Sequence, residues 1–546
     1  MEYFATLLLS LFVTLSLIPL FGRLALRFQA LDFPNERKVH GRPIPKTGGL
    51  AMAVGALVPL LFWIPSSPLS RFLLAGAALI VVFGFWDDLK DLSFRIKFGA
   101  QFCAALLVVV AGGVRIHSLG ALASEGFVLP EAIAIPLTVF VIIGVTNAIN
   151  LSDGLDGLAG GISLLSFICL AVLAHLADQG GVTLITCAMC GAIFGFLRFN
   201  THPATIFMGD TGSQLLGFVG VTLAIHVTQK TLYSPLVSLL LVGFPVLDTL
   251  RVMLERRSKG KPLFVADRNH FHHKLLGLGF LHSESVLIIY FIQALFCVGA
   301  LVLRFYSDWV LLGGYMIFSA LVLGFLRISA GSDWLRGRQK PWGERFTRGF
   351  LAPLRDRDRI IRASFPGLQG LMALILVLTV LVPAGIPSWI GWLALGLAAA
   401  LIAAKGFFPS LRGWAVRLAV FPIAPLVIYL SALECFRRGL CGWTWFLIAL
   451  YALLVTATVV VLRFTRRRGY QGTPLDFLVL MIALALPVFP ADDGFPFQLR
   501  LIVAAETVAL FFGLEVLLVE LREKYRRVEW LVTMVLLAAG VRTLLQ

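Results

Sequence analysis

Apolar runs of about 17 to 22 residues recur from one end of this chain to the other, each long enough to cross a hydrocarbon core of roughly 30 Å as a helix. The runs are continuous rather than alternating, which suits helices and excludes a closed barrel of strands. Only 14% of the 546 residues are charged, against 59% hydrophobic, and the mean hydropathy is +0.90. A soluble chain is nearer one quarter charged, so length here counts spans rather than soluble domains. The fold class expected is all-α, a polytopic integral membrane protein with about eleven transmembrane helices in a core and about seven in a C-terminal extension.

Spans are expected near 3–21, 48–66, 70–86, 95–112, 131–149, 158–177, 182–199, 212–229, 234–253, 284–303 and 309–327. A second set follows near 369–384, 389–406, 414–432, 443–462, 475–490, 498–519 and 529–545. The two halves differ in kind. All nine histidines lie at or before position 282, and the loops of the second half hold no cluster of Asp or Asn. The expected organisation is a membrane-embedded core over 1–330, a basic cytoplasmic linker over 331–368 and a transmembrane extension over 369–546.

The formal charge is 46 − 30 = +16, which in a soluble chain would suggest nucleic acid. Here the basic residues sit between apolar runs, as the positive-inside pattern requires, and their counter-ions are anionic lipid and anionic substrates rather than nucleic acid. Loop 22–47 carries Arg23, Arg27, Arg37, Lys38, Arg42 and Lys46, and loop 254–283 carries Arg256, Arg257, Lys259, Lys261, Arg268 and Lys274. These loops, with 87–94, 150–157, 200–211 and 328–368, are therefore read as cytoplasmic. No Lys or Arg precedes the first apolar run while Arg23 and Arg27 follow it, the reverse of a cleaved signal peptide. The N-terminus is expected outside. Seven cysteines make no disulfide framework, and the C-x-x-C at Cys187 and Cys190 lies in an apolar run, where it reads as packing.

Ionisable groups at span ends are costly and so mark function. In F-W-D-D-L-K-D, Asp87 and Asp88 are adjacent and Asp91 lies one turn on. Neighbouring carboxylates either raise one pKa or demand a cation. In N-A-I-N-L-S-D-G-L-D-G-L-A-G-G, Asn147 and Asn150, then Asp153 and Asp156, repeat at a spacing of three that places them on one helical face. Asp210 stands in F-M-G-D-T-G-S ahead of the next span. Alone it would serve as a helix cap, yet Asp210 and Asn150 are hard oxygen donors of the kind Mg²⁺ takes, with phosphates and waters completing the shell. In D-R-N-H-F-H-H-K-L, His270, His272 and His273 gather with Arg268 and Lys274. No loop cysteine is available and H-x-H-H lacks common zinc spacings, so phosphate binding is preferred to zinc. Finally, Arg37, Lys38, His40 and Lys46 in P-N-E-R-K-V-H-G-R-P-I-P-K-T-G-G suit a phosphate headgroup. Acidic loops to fix a metal and basic loops to neutralise oxyanions describe phosphoryl transfer, with nucleotide as substrate since no Walker motif is present.

These five motifs occur in the order and span context of one family. The first 330 residues resemble the polyprenyl-phosphate N-acetylhexosamine-1-phosphate transferases. The resemblance implies that undecaprenyl phosphate attacks the β-phosphate of a UDP-sugar at the cytoplasmic face of a bacterial inner membrane, giving a lipid diphosphate sugar and UMP. It implies Asp210 and Asn150 as ligands of Mg²⁺, with Mn²⁺ as a substitute. Asp87 becomes the base or orienting group, with Asp88 and Asp91 beside it. Asn147, Asp153 and Asp156 would shape the nucleotide pocket, His270, His272 and His273 would meet the diphosphate or sugar, and Lys97 would touch phosphate. The sequence N-H-F-H-H-K-L departs from the three consecutive histidines of the peptidoglycan branch. It resembles instead the branch that starts O-antigen, enterobacterial common antigen, teichoic acid or arabinogalactan synthesis. UDP-N-acetylglucosamine is the first donor expected, ahead of UDP-N-acetylfucosamine-type donors and UDP-MurNAc-pentapeptide. A homodimer, or a downstream glycosyltransferase or flippase docked on the extension, completes the partners expected. A transporter and a non-catalytic scaffold of polysaccharide assembly are the rivals. The first would place its charges at the midplane, and the second leaves an intact constellation unexplained.

Overall fold

A computed structural model of the chain describes residues 2–33, 43–124, 126–260 and 269–330. Beyond these it describes 358–381, 388–407, 441–464, 497–521 and 526–545, with a few positions between 416 and 438. The described residues up to 330 belong to one compact unit and those from 358 onward to a second.

The first unit is a helical bundle. Its helices are α1 (Glu2–Phe28), α2 (Gly48–Trp63), α3 (Pro68–Lys90), α4 (Phe94–Val110), α5 (Glu131–Leu151), α6 (Leu158–Leu176) and α7 (Gly180–Asn200). There follow α8 (Gly209–Lys230), α9 (Val237–Leu241), α10 (Gly243–Ser258), α11 (Phe271–Gly277), α12 (His282–Val302) and α13 (Asp308–Ala330). The one sheet among the described residues is a short antiparallel pair, β1 (Leu31–Asp32) against β2 (Ile44–Pro45). Eight described helices, α1, α3, α5 to α8, α12 and α13, are long and apolar enough to cross a membrane. The chain is thus an all-α polytopic membrane protein. In the second unit the helix over 388–407 packs on that over 526–545, and the helix over 358–381 packs on that over 441–464.

Among the described residues of the core, eight helices are long and apolar enough to cross a membrane, where eleven spans were expected. Helices α2 and α4 have 16 and 17 residues, which at about 1.5 Å per residue fall short of a roughly 30 Å hydrocarbon core. The span expected over 234–253 is broken at Val242 into α9 and α10. Continuing the helix would pair the Leu241 carbonyl with the amide of residue 245, but that residue is Pro245 and has no N–H. Gln293 of α12 replaces the missing pair. Its Nε2 donates to the Leu241 carbonyl at 2.8 Å and its Oε1 accepts from the Phe244 amide at 3.1 Å. Ser166 of α6 donates to the same carbonyl at 2.7 Å. Backbone polar groups in lipid must be satisfied internally, and here side chains from two neighbouring helices satisfy them.

Helix starts are set locally. At α3, Ser67 accepts from the Ser70 amide at 3.1 Å while Ser70 Oγ accepts from the Ser67 amide at 2.9 Å, with Pro68 in the first turn. At the centre lies α8, almost wholly enclosed and packed against α2, α3, α5 and α6. Its N-terminus meets the C-termini of α3 and α5 and the N-terminus of α2, where the Gly48 and Gly49 amides donate to the Phe207 and Met208 carbonyls, both at 2.9 Å. That meeting point places the site.

Candidate active site

Three carboxylates, one ammonium and a row of amides converge around the first turn of α8. Asp210 there lies 3.2 Å from Lys97 Nζ, and the same ammonium pairs with Asp87 at the end of α3. Asp87 is 4% exposed and also accepts from the Leu92 amide at 2.7 Å. Lys97 thus sits between two acidic side chains, a compact point charge with donors for both. Asn150, at the end of α5, donates to Ser213 Oγ at 3.0 Å and hydrogen-bonds Asp210. The Ser213 bond engages the amide nitrogen and leaves the Asn150 carbonyl oxygen out of it. Asp87 and Asp210, which flank the ammonium, and Asn150 beside Asp210 carry oxygens of the kind a hard cation takes.

Behind this group runs a chain of amides. Gln214 Nε2 approaches Asp210 at 3.4 Å, Gln101 Nε2 donates to Gln214 Oε1 at 3.0 Å, and Asn147 Nδ2 donates to Gln101 Oε1 at 2.7 Å and to the Ile143 carbonyl at 2.8 Å. Each member donates toward Asp210, which as a carboxylate only accepts, so the carboxylate fixes the direction of the whole chain.

Asp88 behaves differently from its neighbour. It is 9% exposed and turned to the start of α8, where it accepts from the Asp210 amide at 2.9 Å, the Thr211 amide at 3.1 Å and the Thr211 hydroxyl at 2.6 Å. These bonds satisfy donors that the helix start leaves open. Gly209 makes the approach feasible, since its φ is +67° and a Cβ there would stand 2.4 Å from an Asp88 oxygen. Asp88 holds α8, and with it Asp210, in place.

The loop over 152–157 links this group to the histidines. Asp153 stands where burial, followed by the charges of Asp210, Asp88 and Asp156, pushes its carboxyl up to about 8. A Cβ on the next residue, Gly154, would lie 2.2 Å from His272 Nε2, so the histidine loop packs directly on this backbone. His272 is buried, its Nε2 has no hydrogen-bond partner, and burial followed by the charge of His273 lowers its imidazole to about 3. It is therefore a neutral ring at physiological pH. The rings of His270 and His272 stack at 5.9 Å, and those of His272 and His273 approach to 4.3 Å. From α10, Asp248 accepts from His270 Nδ1 at 2.9 Å and from the Phe271 amide at 2.8 Å, and Arg251 Nη2 donates to it at 3.0 Å. Glu255 accepts from Lys259 at 2.6 Å and Lys274 at 2.8 Å, and those bonds hold its carboxyl down at about 2.

Asp156 faces a separate group. It accepts from His202 Nδ1 at 2.7 Å and from the Ala204 amide at 3.1 Å, while His282 Nε2 lies 3.3 Å from its carbonyl. Burial opposes ionisation here, but the His202 and Ala204 bonds outweigh it and lower the carboxyl below its ordinary value. One ligand atom from each of Asp156, His202 and His282 falls within 4.8 Å of the others. The two imidazoles are nevertheless stacked, with centroids 4.1 Å apart and planes 20° apart. Lone pairs in stacked rings do not converge on one point, so the geometry is that of a carboxylate–imidazole hydrogen bond capped by a second ring, not of a metal centre.

The sequence profile of glycosyl transferase family 4 matches residues 70–228, the stretch from α3 through α8. A probable undecaprenyl-phosphate N-acetylglucosaminyl 1-phosphate transferase of Bacillus subtilis is 36% identical over 326 residues, 59% of this chain and 90% of that protein. This chain belongs to glycosyl transferase family 4, the polyprenyl-phosphate hexosamine-1-phosphate transferases. A decaprenyl-phosphate N-acetylglucosaminephosphotransferase of Mycobacterium tuberculosis is 36% identical over 311 residues, 51% of this chain and 76% of its own length. An undecaprenyl-phosphate alpha-N-acetylglucosaminyl 1-phosphate transferase of Escherichia coli is 30% identical over 321 residues, 56% and 87% respectively.

Within this family 4 fold, the structure brings together Asp87, Lys97, Asn150 and Asp210, and joins Asn147 to them through Gln101 and Gln214. It separates other residues that the motifs had grouped. Asp153 and Asp156 do not share a helical face: both lie in the loop between α5 and α6, one near the Asp210 group and the other on His202. Asp91 is an exposed C-cap of α3 with φ 45°. Lys46 pairs with Asp32 at 3.5 Å. Arg37, Lys38, His40 and Arg268 lie outside the described residues. Gln101, Gln214, Asp248, His202 and His282 were not anticipated. The first two carried a signal, each standing one helical turn beyond a chosen residue, Lys97 and Asp210.

Proposed function

We propose that this chain transfers N-acetylglucosamine-1-phosphate from UDP-N-acetylglucosamine to undecaprenyl phosphate, releasing UMP. What carries the reading is the convergence of Asp87, Lys97, Asn150 and Asp210 at one end of the bundle in a chain whose relatives are named for this reaction. An oxygen of the lipid phosphate bonds to the β-phosphorus of the nucleotide sugar. The bond from that phosphorus to the bridging oxygen breaks, and UMP leaves with the electron pair.

Lys97 lies where it can neutralise oxyanions of either phosphate, and Asp87 beside it can accept a proton from the lipid phosphate or fix its orientation. Asp210 and Asn150 supply the oxygens that would hold Mg²⁺. Bound there, the ion would polarise the diphosphate and offset charge that develops on the leaving group. Asn147, Asp153 and Asp156 are assigned to the nucleotide pocket, and His270, His272 and His273 to the diphosphate or sugar. The active end is assigned to the cytoplasmic face, where UDP-sugars are available, with the N-terminus on the other side.

The test is UMP release by purified protein in detergent with undecaprenyl phosphate, Mg²⁺ and a panel of UDP-sugars. Release with UDP-N-acetylglucosamine, lost on adding EDTA and in Asp210→Asn, is expected. Activity that persists in EDTA would remove the metal assignment. A folded protein silent with every donor would remove the reaction.

A further inference from the structure

The motifs assign His270 to the substrate, but no motif contains the residue that holds it. Asp248 lies in the second turn of α10, past the Val242 break, and is 2% exposed. A carboxylate in such a place is costly unless each of its oxygens is used. Here Oδ2 meets His270 Nδ1 at 2.9 Å, while Oδ1 accepts from the Phe271 amide at 2.8 Å and from Arg251 Nη2 at 3.0 Å. Arg251 also reaches the Asn269 carbonyl, so both residues that precede Phe271 are stitched to α10.

We infer that Asp248 is a positioning residue for the transfer reaction, acting through His270. The inference rests on the reaction proposed above. An ionised carboxylate only accepts hydrogen bonds, so His270 Nδ1 must carry the hydrogen. Nε2 is then the nitrogen that can meet a phosphate or sugar oxygen. The ring is held in its plane from one side by Asp248 and from the other by the stacked ring of His272 at 5.9 Å. Among the described residues, Asp248 and Arg251 from α10 and His272 from α11 are charged or titratable groups set around it. This is the carboxylate–imidazole arrangement that elsewhere sets the tautomer of a working histidine.

A rival explanation is that Asp248 only caps α11, since it accepts from the amide of that helix's first residue. The two roles give different kinetics. Asp248→Asn keeps the size and one acceptor oxygen for Phe271, but offers His270 an amide in place of an obligate acceptor.

The experiment is a double-mutant cycle on UMP release with Asp248→Asn, His270→Gln and the pair, with thermal unfolding of each. The expected result is a fall in kcat of about 10-fold or more for Asp248→Asn with a KM change below about threefold. Its unfolding midpoint stays near that of the unaltered chain, and the pair is no slower than His270→Gln alone, because residues that act as a unit are not additive. Losses that multiply in the pair would overturn the inference and leave a cap. So would full activity of Asp248→Asn, or full activity of His270→Gln. An unaltered chain that releases no UMP with any donor would sink the reaction and this inference together, whereas multiplying losses would sink the inference alone.

Discussion

Asp88→Ala separates a residue that builds the site from those that use it. Asp88 accepts three hydrogen bonds from the first turn of α8, two from backbone amides and one from the Thr211 hydroxyl. Losing an N-terminal cap costs about 1–2 kcal/mol. Each buried donor left without an acceptor costs about 1–3 kcal/mol, and the two descriptions overlap, so roughly 2–4 kcal/mol is expected in all. If that loss falls wholly on the placement of Asp210, it corresponds to about a 30- to 1,000-fold drop in rate. Asp88→Asn keeps one acceptor oxygen and should recover about half the free energy. The assay pairs UMP release with thermal unfolding in the same detergent. Activity and stability should fall together from the unaltered chain through Asp88→Asn to Asp88→Ala. In Asp87→Asn and Asp210→Asn, by contrast, activity should fall while the unfolding midpoint holds. The reasoning fails if Asp88→Ala loses activity with an unchanged midpoint, for then the carboxylate acts on the substrate and not on α8.

Three further outcomes follow from the same geometry. Lys97→Met should lower UMP release by about 100-fold or more, and Lys97→Arg should recover little of it, because a planar guanidinium does not fit where a point charge serves two carboxylates; steady-state kinetics decide it. Asp153, whose carboxyl is pushed up to about 8 against an ordinary value of 3.8, binds a proton in the fold that the unfolded chain has released. Stability without ligand should therefore decline as pH rises from about 4 to 8, and Asp153→Asn should flatten that decline in melts taken across the range. Gln293→Leu removes the side chain that serves both sides of the Val242 break and should destabilise the bundle by roughly 2–4 kcal/mol, read by unfolding in detergent.

Much of the fold could be read from periodicity and charge, because apolar runs separated by basic loops leave few alternatives in a membrane. The motifs also led to residues that the structure gathers at one end of the bundle. What they could not give was direction. Asp87 and Asp88 are neighbours in sequence, but successive residues on a helix point about 100° apart. One faces Lys97 and the other faces α8, so the pair makes two sets of contacts rather than one. The spacing of Asp153 and Asp156 misled in the opposite way, because the helix ends at Leu151 and a period of 3.6 has no meaning in the loop beyond it. Asp248 was missed for want of a motif, although a carboxylate within an expected span was itself the signal. His202 and His282 lie 80 positions apart and only folding joins them. The break at Val242 was written in Gly243-Phe244-Pro245, read at first as a continuous apolar run.

That break has a genetic consequence. Gln293 spans the break because Pro245 leaves a carbonyl without its helical partner, and Pro245 is tolerated because Gln293 and Ser166 stand there in its place. Changing Pro245 to alanine would let the helix close and take from the buried glutamine amide its backbone partners on either side of the break. Changing Gln293 to leucine would strand the backbone instead. Each step alone loses fitness, while both together make an ordinary straight span. The two positions are therefore tied as a reciprocal pair, 48 residues apart in sequence, that point-by-point variation cannot readily leave.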